Sequence, residues 1–136
     1  MTGMSLSDEE RSTLVKLQIE KSHRFLKQAN EMYSMAYWDI AANRYYYACF
    51  HAVQAILIQH GLSCRSHSGA IACFGLHFVK SGKVPAHLGS FLTRMEQLRQ
   101  KGDYNCLYDV SEDEVATMRE PANELISLIE QLIESV

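Results

Sequence analysis

Signals for β-structure and for membrane insertion are missing from this sequence. No long stretch alternates between apolar and polar residues, and neither Asn-Gly nor Asp-Gly occurs as a hairpin turn. No apolar run approaches the roughly 18 residues that a membrane-spanning helix needs. Proline is also rare, with only Pro85 and Pro121 in 136 residues, so long helices can form without interruption. These absences predict a helical protein without a membrane span.

Cysteine pairs with metal-binding spacing are missing as well. The four cysteines include no CxxC pair, and the segment Met1–Arg11 is polar and acidic, unlike a signal peptide. We therefore expect reduced thiols in a cytoplasmic protein. One short window does hold several metal-ligand types, namely His60, Cys64, His67, Cys73 and His77. Its spacing is too irregular for a known zinc module, and no Gly-rich phosphate loop occurs, so we expect neither a metal nor a cofactor.

The charge of the chain is distributed unevenly, although the net charge is only −3. Residues 1–59 carry six basic and six acidic side chains, which balance. Residues 60–101 carry six basic side chains, four histidines and a single acid, Glu96, whereas residues 102–136 carry nine acids and a single base, Arg119. The basic segment could attract nucleic acid, or both segments could be solvated helix faces. Both interpretations stay open.

Apolar residues recur at helical spacing along the whole chain. Ser7–Glu10 and Ser111–Glu114 have the pattern of capping boxes, which would begin the first and last helices. Between them we predict helices over about 39–60, 68–80 and 86–101. We expect Pro121 to kink or split the last helix near Arg119, because proline lacks the N–H donor. The sequence predicts an all-α fold: an antiparallel up-down four-helix bundle with one additional short helix, forming one domain over residues 1–136.

The predicted second helix is apolar almost all round, which places it at the centre of the bundle or in an interface. Within it, Arg44, Tyr47 and His51 are three and four residues apart and therefore share one helical face. An arginine and a histidine are costly to bury without partners. Either these side chains form a buried polar network that fixes helix register, or they line a cleft that binds a ligand.

Several motifs, in this order, resemble the HEPN family of small helical proteins. The central one is the Asn43–Ala52 stretch, NRYYYACFHA, on the predicted second helix. His67 follows the next loop, and residues 78–82, FVKSG, resemble the family's third-helix ending. The run from Arg99 to Asp103 and Tyr104 resembles the family's arginine-to-Asp-Tyr motif. The resemblance covers roughly residues 8–134.

The resemblance implies an RNA- or nucleotide-binding module that is the helical partner of a nucleotidyltransferase in a toxin–antitoxin-type system. The ligand-binding side chains would be Tyr47, Arg99, Asp103 and Tyr104. The family also implies a homodimer with the site near the interface.

Two alternatives remain beside this interpretation. The first is a metal-free endoribonuclease, since ribonuclease members use an arginine and a histidine separated by four to six residues, and six residues separate Arg44 from His51. The histidine would take the proton of a ribose 2′-hydroxyl while the arginine holds the phosphate. In many nuclease members this pair lies on a later helix, where the present chain has Arg99 followed by Tyr104. The second alternative is a non-catalytic dimeric scaffold.

Overall fold

The computed structural model describes residues 6–62, 64, 66–104 and 109–135, and for 102–104 it describes the backbone alone. The described part contains helices and no strand: α1 Asp8–Ser34, α2 Trp38–Gln59, α3 His67–Phe74, a π-helical turn Gly75–Val79, α4 Ala86–Tyr104, α5 Glu112–Ala116 and α6 Arg119–Glu134. This confirms the predicted all-α bundle, in which α1, α2, α4 and α6 are the long helices. Within the described ranges, no helix combines the length and apolarity that crossing a bilayer requires.

Helices α1 and α2 form a hairpin with the largest helix–helix interface in the described part of the molecule. The predicted capping box begins α1: the Glu10 N–H donates to Ser7 Oγ at 3.0 Å, and the Ser7 N–H donates to the Glu10 carboxylate at 2.8 Å. The buried residues of α1 recur every seventh position, at Val15, Ser22 and Ala29. Because seven residues are close to two helical turns, they form one stripe against α2.

Helix α2 lies at the centre of the bundle, as its apolar sequence predicts. Twelve of its 22 residues are buried, so it has no fully solvated face. Five of the twelve are alanines, whose small side chains let neighbouring helices approach closely. It contacts α1, α3, α4, α5 and α6. Its polar residues Arg44, Tyr47 and His51 are therefore partly buried by neighbouring elements.

The segment after α3 differs from the prediction of one continuous helix over 68–80. Helix α3 ends at Phe74, and the backbone widens into a π-helical turn in which the Lys80 N–H donates to the Gly75 carbonyl at 2.8 Å. Phe74 and Phe78 are both buried, and their ring centroids lie 5.5 Å apart. The wider turn keeps both rings in the core while the chain turns toward α4.

The last helical region is split where the sequence predicts. A capping box at Ser111 begins α5, which ends at Ala116, and α6 begins at Arg119 with Pro121 in its first turn. A proline is tolerated there because the first N–H groups of a helix have no intrahelical acceptor. Helix α6 then buries an apolar stripe that consists of Ala122, Leu125, Ile126 and Ile129.

Candidate functional site

Two of the three predicted α2 residues, Arg44 and His51, face α1, and Tyr47 lies beside His51. The Arg44 guanidinium lies 5.2 Å from the ring centroid of Phe25 on α1, and the His51 ring lies 5.3 Å from the same ring. The Tyr47 and His51 rings are 6.4 Å apart. All three predicted side chains are half-buried. The predicted common face is confirmed, and Phe25 is the ring that joins Arg44 to His51.

One nitrogen of His51 is fixed by a glutamine on α1. His51 Nδ1 lies 2.7 Å from Gln18 Oε1. An amide oxygen only accepts hydrogen bonds, so Nδ1 carries the proton and donates it. The other ring nitrogen, Nε2, then holds a lone pair and can accept a proton. We call Gln18, Phe25, Arg44 and His51 the His51 cluster.

The surroundings of His51 keep its imidazole uncharged. Burial, followed by the nearby charges of Lys21, Arg24 and His67, lowers the pKa of His51 to about 4. At neutral pH the ring is therefore a neutral base among cations. An anion such as a phosphate would relieve the positive charge that these side chains share.

His67 lies beside this face, although it comes from a different element. It is the first residue of α3, whose start is fixed by the Gly69 N–H donating to Ser66 Oγ at 2.9 Å. A Cβ at Gly69 would lie 2.8 Å from that oxygen, so a side chain there would disturb the cap. The His67 ring stacks on Phe50 with centroids 4.2 Å apart and meets the edge of Tyr47 at 5.6 Å.

Behind His67 lies a second polar cluster that connects α2 to α4. His67 Nδ1 is 2.7 Å from the Tyr46 hydroxyl, and that hydroxyl donates to Glu96 Oε2. Glu96 also accepts from Arg99 Nη2 at 2.9 Å and from Gln100 Nε2 at 3.0 Å. We call Tyr46, His67, Glu96, Arg99 and Gln100 the Glu96 cluster.

Glu96 is ionised although only 6% of its surface is exposed. Burial alone would raise the pKa of its carboxyl, but hydrogen bonds from Arg99, Tyr46 and Gln100 outweigh burial and lower the pKa. The pKa of Tyr46 is raised, first by burial and then by the neighbouring carboxylate. Tyr46 therefore keeps its proton, and Glu96 carries the negative charge of the cluster.

Arg99 lies in the Glu96 cluster and not against Phe25. Its guanidinium is 5.6 Å from the ring of Tyr46, which projects about 200° around α2 from Arg44. The Glu96 carboxylate holds it through two nitrogens, Nη2 at 2.9 Å and Nε at 3.2 Å. The side chains of Asp103 and Tyr104 lie outside the described residues, so their predicted binding roles stay predictions.

The sequence interpretation missed five side chains of these clusters: Gln18, Phe25, Tyr46, Glu96 and Gln100. Glu96 had a usable signal, because it is the one acid among six bases in residues 60–101. A lone carboxylate in a basic segment is a natural partner for a buried cation. Gln18 and Phe25 had none, because their roles depend on how α1 lies against α2.

The window of potential metal ligands does not converge. In the described residues, no three histidine, cysteine, aspartate or glutamate side chains lie close enough together to hold a metal ion. His60 contacts the edge of the Phe78 ring, and His67 is directed to Tyr46. Cys64 and Cys73 are neighbours, and the pKa of the Cys73 thiol is raised by burial and by its hydrogen bond with Cys64.

Comparison with known proteins gives a consistent result. The family model of the HEPN domain matches residues 15–132. A UPF0332 protein of Thermotoga maritima is 44% identical over 96 residues, which are 71% of this chain and 73% of that protein. Two proteins of Methanocaldococcus jannaschii also match. “Putative toxin MJ0142” is 27% identical over 71% of this chain and 65% of its own length, and “Putative toxin MJ0605” is 35% identical over 63% and 64%.

Proposed function

Since the chain belongs to the HEPN domain family, we propose that it is the RNA-binding helical component of a toxin–antitoxin-type pair in the cytoplasm. The observation that carries this proposal is the His51 cluster, where Arg44 and His51 share the Phe25 ring in an environment made positive by Lys21 and Arg24. The names of the two archaeal relatives support the toxin-type assignment.

The chemistry of this face suits a single-stranded RNA. Arginine holds a phosphate through charge-assisted hydrogen bonds, and lysines near it add attraction without sequence preference. Unpaired bases stack on aromatic rings, and Tyr47 offers a half-buried ring between His51 and His67. A phosphate at Arg44 and a base at Tyr47 would lie one helical turn apart along α2.

RNA binding can be measured by fluorescence anisotropy with a labelled single-stranded RNA of mixed sequence. We expect Arg44→Ala to weaken binding about tenfold, because it removes a charge-assisted hydrogen bond. It should also make the salt dependence shallower by about 0.7 in log–log slope, the amount for one phosphate contact on a single strand.

Lys16→Ala is the matched control for this measurement. It removes one positive charge from an exposed position of α1, and Lys16 projects about 200° around the helix from Gln18. Its binding and salt slope should equal those of the wild type. Equal losses of RNA affinity in both variants would show that only the net charge of the chain matters, and would contradict a site at Arg44.

The proposal includes a protein partner and a homodimer, as the family implies. Affinity purification of the chain from its host should recover a nucleotidyltransferase, and light scattering of the purified chain should give the mass of two copies. Recovery of no nucleotidyltransferase, together with a monomer at high concentration, would contradict this part of the proposal.

A second candidate function, metal-free RNA cleavage, is favoured by one specific observation. His51 is neutral and presents a lone pair on Nε2, which is the form that a general base needs. The purified chain should then cleave RNA in the presence of a chelator, and both His51→Ala and Arg44→Ala should abolish cleavage without loss of helical content. Unchanged cleavage in both variants would remove Arg44 and His51 from the mechanism. A wild-type chain that neither binds nor cleaves RNA would instead favour the non-catalytic scaffold.

A further inference from the structure

We propose that a groove between α3 and α4 is the docking site for an acidic amphipathic helix of a partner protein. One wall of the groove is formed by α3 and the π-helical turn, and the other wall is formed by α4. Its volume is about 620 Å³, and it shares no residue with the His51 cluster or the Glu96 cluster. The inference therefore assigns a separate surface and does not depend on RNA binding.

The length of the groove corresponds to about two helical turns. At one end α4 packs closely against the π-helical turn, since a Cβ at Gly89 would lie only 3.0 Å from Val79 Cγ1. Ile71 and Gln97 also line the groove, each eight residues farther along its wall, which corresponds to about 12 Å of helix. This length matches the span over which a docked helix anchors its residues i, i+4 and i+7.

The apolar lining of the groove suits aliphatic side chains better than nucleic-acid bases. Leu92 is buried beneath the groove, and Ile71 and Val79 are partly exposed along one wall. Leu76, in the adjoining π-helical turn, is 58% exposed. Phe74 is the aromatic residue of the described lining, and it is fully buried, so it offers no face on which a base can stack. These features favour a protein partner over RNA as the occupant.

Gly75 leaves free space on the wall of the groove. A Cβ at this position would meet no atom of the described residues within 4 Å. The backbone of Gly75 is right-handed helical, with φ −58° and ψ −46°, so neither its conformation nor its packing requires glycine. A side chain of a docked helix can enter this space. A larger residue at Gly75 would fill the space without entering the core.

The charge of the groove is positive. Lys80 and Arg94 line it, and its described lining contains no acidic residue. Over the ranges that the structure describes, neither of these two side chains forms an ion pair. Glu96, the one acid of residues 60–101, is turned toward α2, where it accepts from Tyr46. The groove therefore complements a helix whose apolar face is flanked by glutamates or aspartates.

The decisive experiment measures the binding of two labelled synthetic peptides to the full chain by fluorescence anisotropy. Each peptide has roughly 15 residues, the length near which an isolated helix becomes stable, and carries leucines at positions i, i+4 and i+7. The remaining positions are alanine and glutamate in one peptide, and alanine and lysine in the other. We expect the glutamate peptide to bind about tenfold more tightly, because the lysine peptide places like charges against the groove.

The Gly75→Leu variant tests whether the peptide lies in the groove. It should weaken binding of the glutamate peptide about tenfold, because the new side chain occupies the space that a docked side chain needs. Ala72→Leu is the matched control, since it adds an equally large side chain at an exposed position of α3 outside the groove. It should bind the peptide like the wild type. Unchanged binding in Gly75→Leu, or equal losses in both variants, would overturn the proposal.

The Arg94→Glu variant tests the charge of the groove without filling it, because Arg94 is exposed. It should weaken binding of the glutamate peptide and strengthen binding of the lysine peptide, each about tenfold. Lys16→Glu makes the same change of charge at an exposed position of α1 and should leave both affinities unchanged. Equal shifts in the two variants would show that only net charge matters, and would contradict docking in the groove.

Competition with single-stranded RNA separates this inference from the RNA-binding proposal. RNA should not displace the glutamate peptide, and Gly75→Leu should bind RNA like the wild type. Displacement of the peptide by RNA, together with loss of RNA affinity in Gly75→Leu, would show that the groove holds RNA and would overturn the inference. A wild-type chain that binds RNA but not the glutamate peptide would also overturn it and leave the RNA-binding proposal intact. Binding of the peptide without binding of RNA would overturn only the RNA-binding proposal.

Discussion

The His51 cluster and the Glu96 cluster lie on different faces of α2 and satisfy their buried polar groups in opposite ways. In the first, the half-buried imidazole is held by a neutral amide, Gln18, and the surrounding charges are positive. In the second, the buried carboxylate of Glu96 accepts hydrogen bonds from three side chains. An external anion would stabilise the Glu96 cluster little, because its charges are neutralised within the protein. It would stabilise the His51 cluster more, because the charges around that cluster are positive.

This difference in charge predicts different roles for the two clusters: the Glu96 cluster stabilises the fold, and the His51 cluster binds a ligand. The Glu96 cluster connects α4 to α2 and to the first residue of α3, so it holds three elements in place. The His51 cluster lies on a hairpin that already packs through the seven-residue stripe of α1. We therefore expect substitutions in the Glu96 cluster to act mainly on stability, and substitutions in the His51 cluster to act mainly on ligand binding and on pH dependence.

The largest effect should come from Glu96→Ala. It removes the carboxylate that offsets the Arg99 guanidinium, and breaking a buried ion pair by removing one partner is strongly destabilising. We expect the free energy of unfolding to fall by about 3 kcal/mol, measured by urea denaturation at pH 7. A loss below about 1 kcal/mol would mean that the Glu96 cluster behaves like an exposed ion pair, and the contrast between the clusters would fail.

A smaller effect should appear as a pH dependence that belongs to His51. Its pKa of about 4 in the folded chain lies below the ordinary value of 6.5, so between these values the unfolded chain binds a proton that the folded chain does not. Stability should therefore fall as the pH is lowered. We expect a loss of about 1 kcal/mol from pH 7 to pH 5, after allowing for solvent screening of a half-buried group.

Urea denaturation at the two pH values measures this dependence. The His51→Asn variant, whose amide can still donate to Gln18, should lose the His51 contribution. The His87→Asn variant keeps it, because His87 is an exposed residue paired with Glu124. Identical pH dependence in wild type and His51→Asn would show that the ring is not held neutral by its surroundings.

The smallest effect should come from Glu124→Ala, which compares an exposed glutamate with the buried Glu96. The Glu124 side chain is 53% exposed and lies 3.0 Å from His87 on the surface. Exposed pairs contribute little, so we expect a change within about 0.5 kcal/mol in the same urea experiment. A loss approaching that of Glu96→Ala would show that burial is not what distinguishes the two glutamates.

Local patterns in the sequence predicted most of the fold. The capping boxes at Ser7 and Ser111 begin α1 and α5 as expected. The split near Pro121 was also predictable, because proline lacks the N–H donor whatever the tertiary structure around it. The π-helical turn after Phe74 was not predicted. One extra residue in a turn leaves the spacing of apolar residues almost unchanged, so the sequence pattern does not reveal it. The π-helical turn is favourable only because it lets Phe78 pack in the core, which depends on tertiary structure.

The candidate site was predictable only as far as one helix determines it. Arg44, Tyr47 and His51 share a face because their spacing fixes it, and the helix alone suffices for that conclusion. The contact of Gln18 with His51 joins residues 33 positions apart, and that of Tyr46 with Glu96 joins residues 50 positions apart. Such pairs depend on the packing of separate helices, which no local pattern encodes.

Ser22 fixes the axial register of α1 against α2 in the hairpin. Its hydroxyl donates to the Ala48 carbonyl at 2.7 Å in the interior, one turn away from both Gln18 and His51. An apolar stripe that repeats every seven residues would look much the same if α1 slid along its partner by two turns, but a single buried hydroxyl can meet only one carbonyl at its own level. Ser22 therefore fixes the axial register of the two helices, and this register places Gln18 opposite His51.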